Sequence, residues 1–200
     1  MKLYVATSNP GKLRDFAFSA QAFPGVEILP LPNLASIPTP EETAETFVGN
    51  AIIKALAYSV LMPGEMVIAD DSGIVVPALA GEPGVRSARY AEDQGFEFAG
   101  TADERNLACL LANTKGMELT AAFYTAVLAA VRDGEVIATA EGRVDGLLLD
   151  APRGVRGFGF DPIFYLEVQK QTMAEIDEET RLRVSHRGRA LLDLLKMLEV

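Results

Sequence analysis

The sequence predicts an α/β protein with a mixed β-sheet flanked by helices. Three observations carry this expectation. Short apolar runs of strand length alternate with segments whose apolar residues recur every three or four positions. Asp133-Gly134 separates two apolar stretches and reads as a hairpin turn, so part of the sheet is antiparallel. The segments do not follow a strict strand–helix–strand repeat, which argues against a purely parallel sheet.

The elements follow in order. Leu3 to Thr7 is a first strand. Lys12 to Ala22 is helical, with Leu13, Phe16, Ala17 and Ala20 on one face. Val26 to Leu31 is a second strand, ended by Pro30 and Pro32, and a Pro-rich loop runs to Pro40. Phe47, Val48, Ala51, Ile52, Ala55, Leu56 and Val60 form an amphipathic helix stopped by Pro63-Gly64. Met66 to Ala69 is a buried-strand pattern that breaks at Asp70-Asp71-Ser72-Gly73 and resumes at Ile74-Val75-Val76. Gly81 to Gly95 reads as a long loop, and Ala102 to Ala112 as a helix. Leu119 to Val131 and Glu135 to Ala140 form the hairpin, and Gly154 to Phe164 is rich in Gly and Phe. A last helix begins at Ser185, with Leu191, Leu192, Leu194, Leu195 and Leu198 on its apolar face.

The 200 residues suit one domain, 1–200, large enough to bury a real core. Eighteen basic against 28 acidic side chains give a net charge of −10. Such a surface repels polyanions, so stable nucleic-acid binding is not expected. The single cysteine, Cys109, permits no internal disulfide and fits a reducing cytoplasm. One cysteine and one histidine cannot build a Cys/His zinc site. The longest apolar stretch, Leu119 to Val131, falls short of the roughly 20 residues of a membrane helix, and the N-terminus carries no secretion signal. The reading is a cytoplasmic protein with no membrane partner.

Five constellations bear chemistry. Thr7-Ser8-Asn9-Pro10-Gly11-Lys12 joins the first strand to the first helix. Backbone N–H groups at a helix start beside a lysine make a phosphate cradle. It is not a P-loop, since neither the first Gly nor a Ser/Thr after Gly-Lys is present. The plain alternative is a capped turn, with Asn9 as N-cap and Pro10 as first helical residue. Asp70 and Asp71 repel each other and resist burial unless paired with a metal or cations. In extended backbone they point in different directions; the alternative is an exposed acidic turn. Glu41-Glu42 precedes a helix on which Asn50 and Lys54 share a face. Taken alone, these glutamates merely favour the helix dipole and Lys54 snorkels. Gly157-Phe158-Gly159-Phe160-Asp161-Pro162 lets backbone and aromatic faces approach a flat ligand, or is a glycine-relieved bend with core phenylalanines. Ser185 is a natural N-cap, which puts His186 and Arg187 in a first turn where cations are unfavourable without an anion. A Ser/His/Asp hydrolase lacks its G-x-S-x-G elbow.

These motifs, with Ala69-Asp70-Asp71-Ser72-Gly73, Pro83-Gly84-Val85, Ser87-Ala88-Arg89-Tyr90 and Ser185-His186-Arg187-Gly188, stand in an order that resembles the inosine/xanthosine triphosphate pyrophosphatases. The resemblance covers essentially the whole chain. It implies an elongated mixed α/β fold with two lobes and a nucleotide cleft between them, Mg²⁺ dependence and a homodimer. It implies cleavage of non-standard purine nucleoside triphosphates (dITP, ITP, XTP) to the monophosphate and pyrophosphate. Carried over by position, Asp71 looks like the general base with Asp70 beside it. Glu41 or Glu42, more readily Glu42, is the second carboxylate serving the metal with Asp71. Lys12 and the Thr7–Gly11 loop resemble the phosphate grip, and Lys54 and Ser72 phosphate-side contacts. Phe158, Gly159, Phe160 and Asp161 look like the base platform, and His186 and Arg187 like the base-recognition pair. Two departures stand out. Ser8 replaces a usual Gly, and Arg181 a usual Lys, which keeps the charge and changes the donor geometry. Two rivals remain: a pyrophosphatase for another modified nucleotide, and a nucleotide-binding regulatory module without catalysis.

Overall fold

A computed structural model describes residues 1–117 and 120–199. In chain order these form β1 (Lys2–Val5), α1 (Pro10–Ala20), β2 (Glu27–Pro30), α2 (Phe47–Ser59), β3 (Met66–Val75), α3 (Tyr90–Asp93), α4 (Ala102–Asn113), β4 (Thr120–Arg132), β5 (Glu135–Leu148), β6 (Phe164–Leu166), β7 (Gln171–Thr172), α5 (Glu178–Val184) and α6 (His186–Met197). The seven strands make one sheet in the order β2-β1-β3-β4-β5-β6-β7. β1 pairs in parallel with β2 and β3, placing Leu3 against Ile28 and Val5 against Ile68. β6 runs antiparallel to β5 and β7, so the sheet is mixed, as the hairpin signal predicts.

The chain divides into two compact units. The first comprises Met1–Ser72, Ala126–Arg143 and Leu182–Val200. Strand alternation sorts its side chains onto two faces. Leu3, Val5, Met66, Ile68, Leu128 and Ala130 meet Phe16 and Ala20 of α1 and Leu191, Leu194 and Leu195 of α6. Ala69, Val127, Ala129 and Val131 meet Ala51 and Ala55 of α2, while Val67 meets Tyr58. Each such Leu, Ile or Phe contributes about 1.5–3 kcal/mol by leaving water. The helices on opposite faces follow from the strand order. The chain leaves β1 in one direction for β2 and returns across it to β3, and right-handed crossovers then place α1 and α2 on different sides.

The second unit comprises Gly73–Thr125 and Val144–Arg181. Its α4 opens with a capping box, in which Thr101 Oγ1 accepts from Glu104 N–H and the Glu104 carboxylate accepts from Thr101 N–H. Buried Asn106 accepts from Ala91 N–H and donates to Ala88 C=O, fixing α3 on α4. Among the described residues no helix is long and apolar enough to cross a membrane.

Several expectations need correction. Asp70–Gly73 is not a break, because β3 runs unbroken from Met66 to Val75. Cations from neighbouring elements meet both carboxylates, so the strand has no need to expel them. Gly81–Gly95 is not all loop, since Gly84–Arg89 forms a 3₁₀ helix and α3 follows. β5 extends eight residues past Ala140, to Leu148. Its inward positions there include Gly142 and Gly146, which thin the apolar alternation to Val144 and Leu148. β6, β7 and α5 are too short for a periodic signal. Leu119, the expected start of the hairpin, lies outside the described residues.

Candidate active site

The parallel strands set the location. Strand order reverses about β1, and ligands of α/β sheets gather beyond the carboxyl ends of strands at such a point. The Thr7–Gly11 loop leaves the carboxyl end of β1, and β3 beside it carries Asp70 and Asp71.

The loop is a capped turn. Asn9 Oδ1 accepts from Gly11 N–H at 2.8 Å and Lys12 N–H at 3.2 Å. Thr7 Oγ1 accepts from Asn9 N–H, and Pro10 supplies the first helical residue, where a missing N–H costs nothing. These bonds hold two of the N–H groups a phosphate cradle would use, while Ser8 is exposed. The capped start aims Lys12 at β3, where its Nζ lies 2.7 Å from Asp70 Oδ2.

Asp70 and Asp71 are 4% and 7% exposed, which removes the exposed-turn reading. They point apart, as strand alternation requires. Asp70 Oδ2 takes Lys12, accepts from Ser72 Oγ at 3.2 Å, and faces Arg187 Nε at 3.8 Å. Burial alone would raise its pKa, but Lys12 and Arg187 outweigh that and hold it below the ordinary value. Asp71 turns the other way. Its Oδ1 meets Lys54 Nζ at 3.1 Å, and its Oδ2 accepts from Asn50 Nδ2 at 3.3 Å. Burial lifts its pKa above the ordinary carboxylate value; Lys54 resists the rise and the Glu42 charge adds to it.

The helical spacing of Asn50 and Lys54 places both on the α2 face toward Asp71. Fully buried Asn50 also accepts from Ala44 N–H at 2.9 Å, which seats the preceding loop. That loop delivers Glu42, whose Oε1 lies 2.6 Å from Lys54 Nζ. Glu41 is exposed, and of this pair it is Glu42 that meets Lys54.

At α6, Ser185 Oγ caps Gly188 N–H, as its sequence position predicts. His186 and Arg187 are buried in the first turn. The anions that offset Arg187 there are protein carboxylates: Asp15 at 3.5 Å and Asp70 at 3.8 Å, with Ser72 Oγ accepting from Nη2 at 3.0 Å. Close packing of α1 and α6 permits this, because a Cβ at Gly188 would strike Ser19 Oγ. Asp15, only 1% exposed, was not legible as a site residue. A carboxylate one residue before core Phe16, on the buried face that also holds Gly11, Ser19 and Ala20, was its signal.

The first unit thus gathers Lys12, Lys54, Asp70, Asp71, Ser72, Glu42, His186 and Arg187. Phe158, Gly159, Phe160, Asp161 and Arg181 belong to the second unit. There Phe158 and Gly159 are half-buried, and Phe160, Asp161 and Arg181 buried.

The donor set fits a small hard cation. Glu42 and Asp71 present carboxylate oxygens within reach of one ammonium, and oxygen donors suit Mg²⁺, which completes its shell with water and phosphate.

The topology and these side chains define a class, the α/β proteins that gather charged side chains at the carboxyl ends of parallel strands. More particularly, the Ham1 family model matches residues 3–197, and the chain belongs to that family. It is 54% identical over 200 residues to the dITP/XTP pyrophosphatase of Acidobacterium capsulatum, covering 99% of this chain and 98% of the relative. It is 40% identical to the dITP/XTP pyrophosphatase of Bacillus subtilis, over 98% of this chain and 96% of the relative. Among solved structures it resembles the Staphylococcus aureus Ham1 protein with TM-score 0.82 and 36% identity, covering 100% of this chain and 98% of the other.

Proposed function

We propose that the protein hydrolyses non-standard purine nucleoside triphosphates, dITP and XTP among them, to the monophosphate and pyrophosphate. The observation that carries this reading is the opposed pair of buried aspartates on β3. One is locked to Lys12 and Arg187, and the other is held by Lys54 and Asn50 next to Glu42. Family membership over residues 3–197 supports the substrate class.

In the proposed mechanism Asp71 accepts a proton from a water that attacks the α-phosphorus. The water oxygen forms the new P–O bond, and the bond to pyrophosphate breaks. Glu42 and Asp71 would hold Mg²⁺, which supplies charge neutralisation for the phosphates. Lys12 and Lys54 exchange a carboxylate partner for a phosphate oxygen. One ammonium about 4 Å from such an oxygen contributes on the order of 4 kcal/mol at an effective dielectric near 20. Phosphoryl transfer asks mainly for positioning and charge balance, and these groups provide both.

Base choice is assigned to the 6-oxo group, with Arg187 or a neighbouring donor pairing with it. Adenine offers an amino group there, and an unpaired buried donor costs roughly 1–3 kcal/mol. Phe158 to Asp161 supply the platform under the base. A homodimer working in the cytoplasm completes the proposal. The deciding experiment is pyrophosphate release from dITP, XTP, ITP and ATP, with and without Mg²⁺. Rapid release from the first three and little from ATP is expected. Equal rates on ATP would remove the base reading, and tight binding without release would favour the regulatory module.

A further inference from the structure

The Gly157–Asp161 loop of the second unit is held in shape by a side chain outside it. Asp161 is 6% exposed, and its two carboxylate oxygens do different work. Oδ2 accepts from Phe158 N–H at 3.0 Å, folding the loop back on itself. Oδ1 accepts from the hydroxyl of Tyr124 at 3.1 Å. Tyr124 sits within β4, 7% exposed, its ring tilted against Phe164 with centroids 4.4 Å apart. A sheet strand therefore fixes the carboxylate that fixes the loop. Gly157 adopts φ +76°, and a Cβ there would strike Asp161 Oδ2, so the loop closes tightly on the carboxylate. Farther along, Gly159 N–H donates to Asp103 Oδ2 at 3.0 Å.

We infer that Tyr124 is a positioning residue for base recognition: by donating to Asp161 it sets the orientation in which Phe158 is presented to the base. The inference rests on the reading of Phe158–Asp161 as the base platform given above, and it adds a residue that touches no substrate. A hydroxyl bonded to a buried carboxylate holds it in one rotamer. Loss of that bond removes one of the restraints on the Asp161 rotamer, and its hold on Phe158 N–H loosens. The triphosphate-side groups lie on other segments and are untouched. Binding of the base suffers and phosphate chemistry does not.

Tyr124→Phe tests this, since it removes the hydroxyl and keeps the ring packed on Phe164. KM for dITP should rise about three- to tenfold, the range of one such hydrogen bond, with kcat within about twofold. Inhibition by inorganic pyrophosphate, which has no base, should be unchanged. Hydrogen exchange at the Phe158 amide should quicken while the melting temperature stays near that of the parent. Unchanged KM and unchanged exchange overturn the inference. So does a joint loss of kcat, pyrophosphate affinity and melting temperature, which would make Tyr124 a general structural residue. If the parent protein releases no pyrophosphate from dITP or XTP, the proposed function fails, and exchange at Phe158 still decides whether Tyr124 sets the loop.

Discussion

Lys12 and Asp70 form an ion pair at 2.7 Å in which the carboxylate side chain is only 2% exposed. The pair joins the first turn of α1 to the middle of β3. It explains how an apolar strand carries a carboxylate through the interior without breaking. Arg187 and Ser72 also meet Asp70, so removing it strands Lys12 and takes one of its carboxylates from Arg187.

Asp70→Ala should therefore cost about 3–5 kcal/mol of stability, the usual penalty for breaking a buried pair from one side. Chemical denaturation would show it as a lower midpoint at unchanged slope. A midpoint within error of the parent would mean that solvent reaches the pair and screens it.

The same pair gives a pH signature in chelator-treated protein. Asp70 has a folded pKa below its unfolded one, so its stabilisation is present above the unfolded value. It is lost as the pH falls below about 4 toward the folded pKa. Unfolding free energy should decline across that interval, and Asp70→Asn should decline less steeply. Parallel curves for the two proteins would contradict the assignment.

Asp71→Asn keeps the shape and the Asn50 contact region but removes the proposed base. Turnover of dITP should drop about 10²–10⁴-fold, the contribution typical of a positioned base. Thermal unfolding should change little, since the substitution relieves the burial and the Glu42 repulsion acting on Asp71. Full turnover with normal Mg²⁺ dependence would reject the mechanism.

Glu42→Gln should raise the Mg²⁺ concentration needed for half-maximal rate by about tenfold or more, because a neutral amide is the poorer ligand. Exposed Glu45, three residues on, provides the control: Glu45→Gln should leave the Mg²⁺ titration in place. Coincident titrations for Glu42→Gln and the parent would remove Glu42 from the metal site.

Gly142 of β5 faces α6, and a Cβ there would run into the His186 carbonyl and the Ala190 amide. Gly142→Ala should destabilise by about 1–3 kcal/mol through overpacking. It should also lower activity, since the displaced backbone is the turn that carries His186 and Arg187. A variant as stable and active as the parent would show that α6 moves aside freely.

Much of this protein was legible in its residues. The helical spacing of Asn50 and Lys54, the cap at Ser185, the Asp133-Gly134 hairpin and the opposite directions of Asp70 and Asp71 are consequences of local geometry. Local geometry is what a sequence encodes directly. The continuity of β3, the contact of Glu42 with Lys54, the pairing of Asp15 with Arg187 and the bond from Tyr124 to Asp161 were decided only by the fold. Each depends on a partner far along the chain: Arg187 lies 172 residues from Asp15, and Asp161 lies 37 from Tyr124. A buried charge is tolerated or expelled according to what stands opposite it, and only the packed sheet brings those partners within reach.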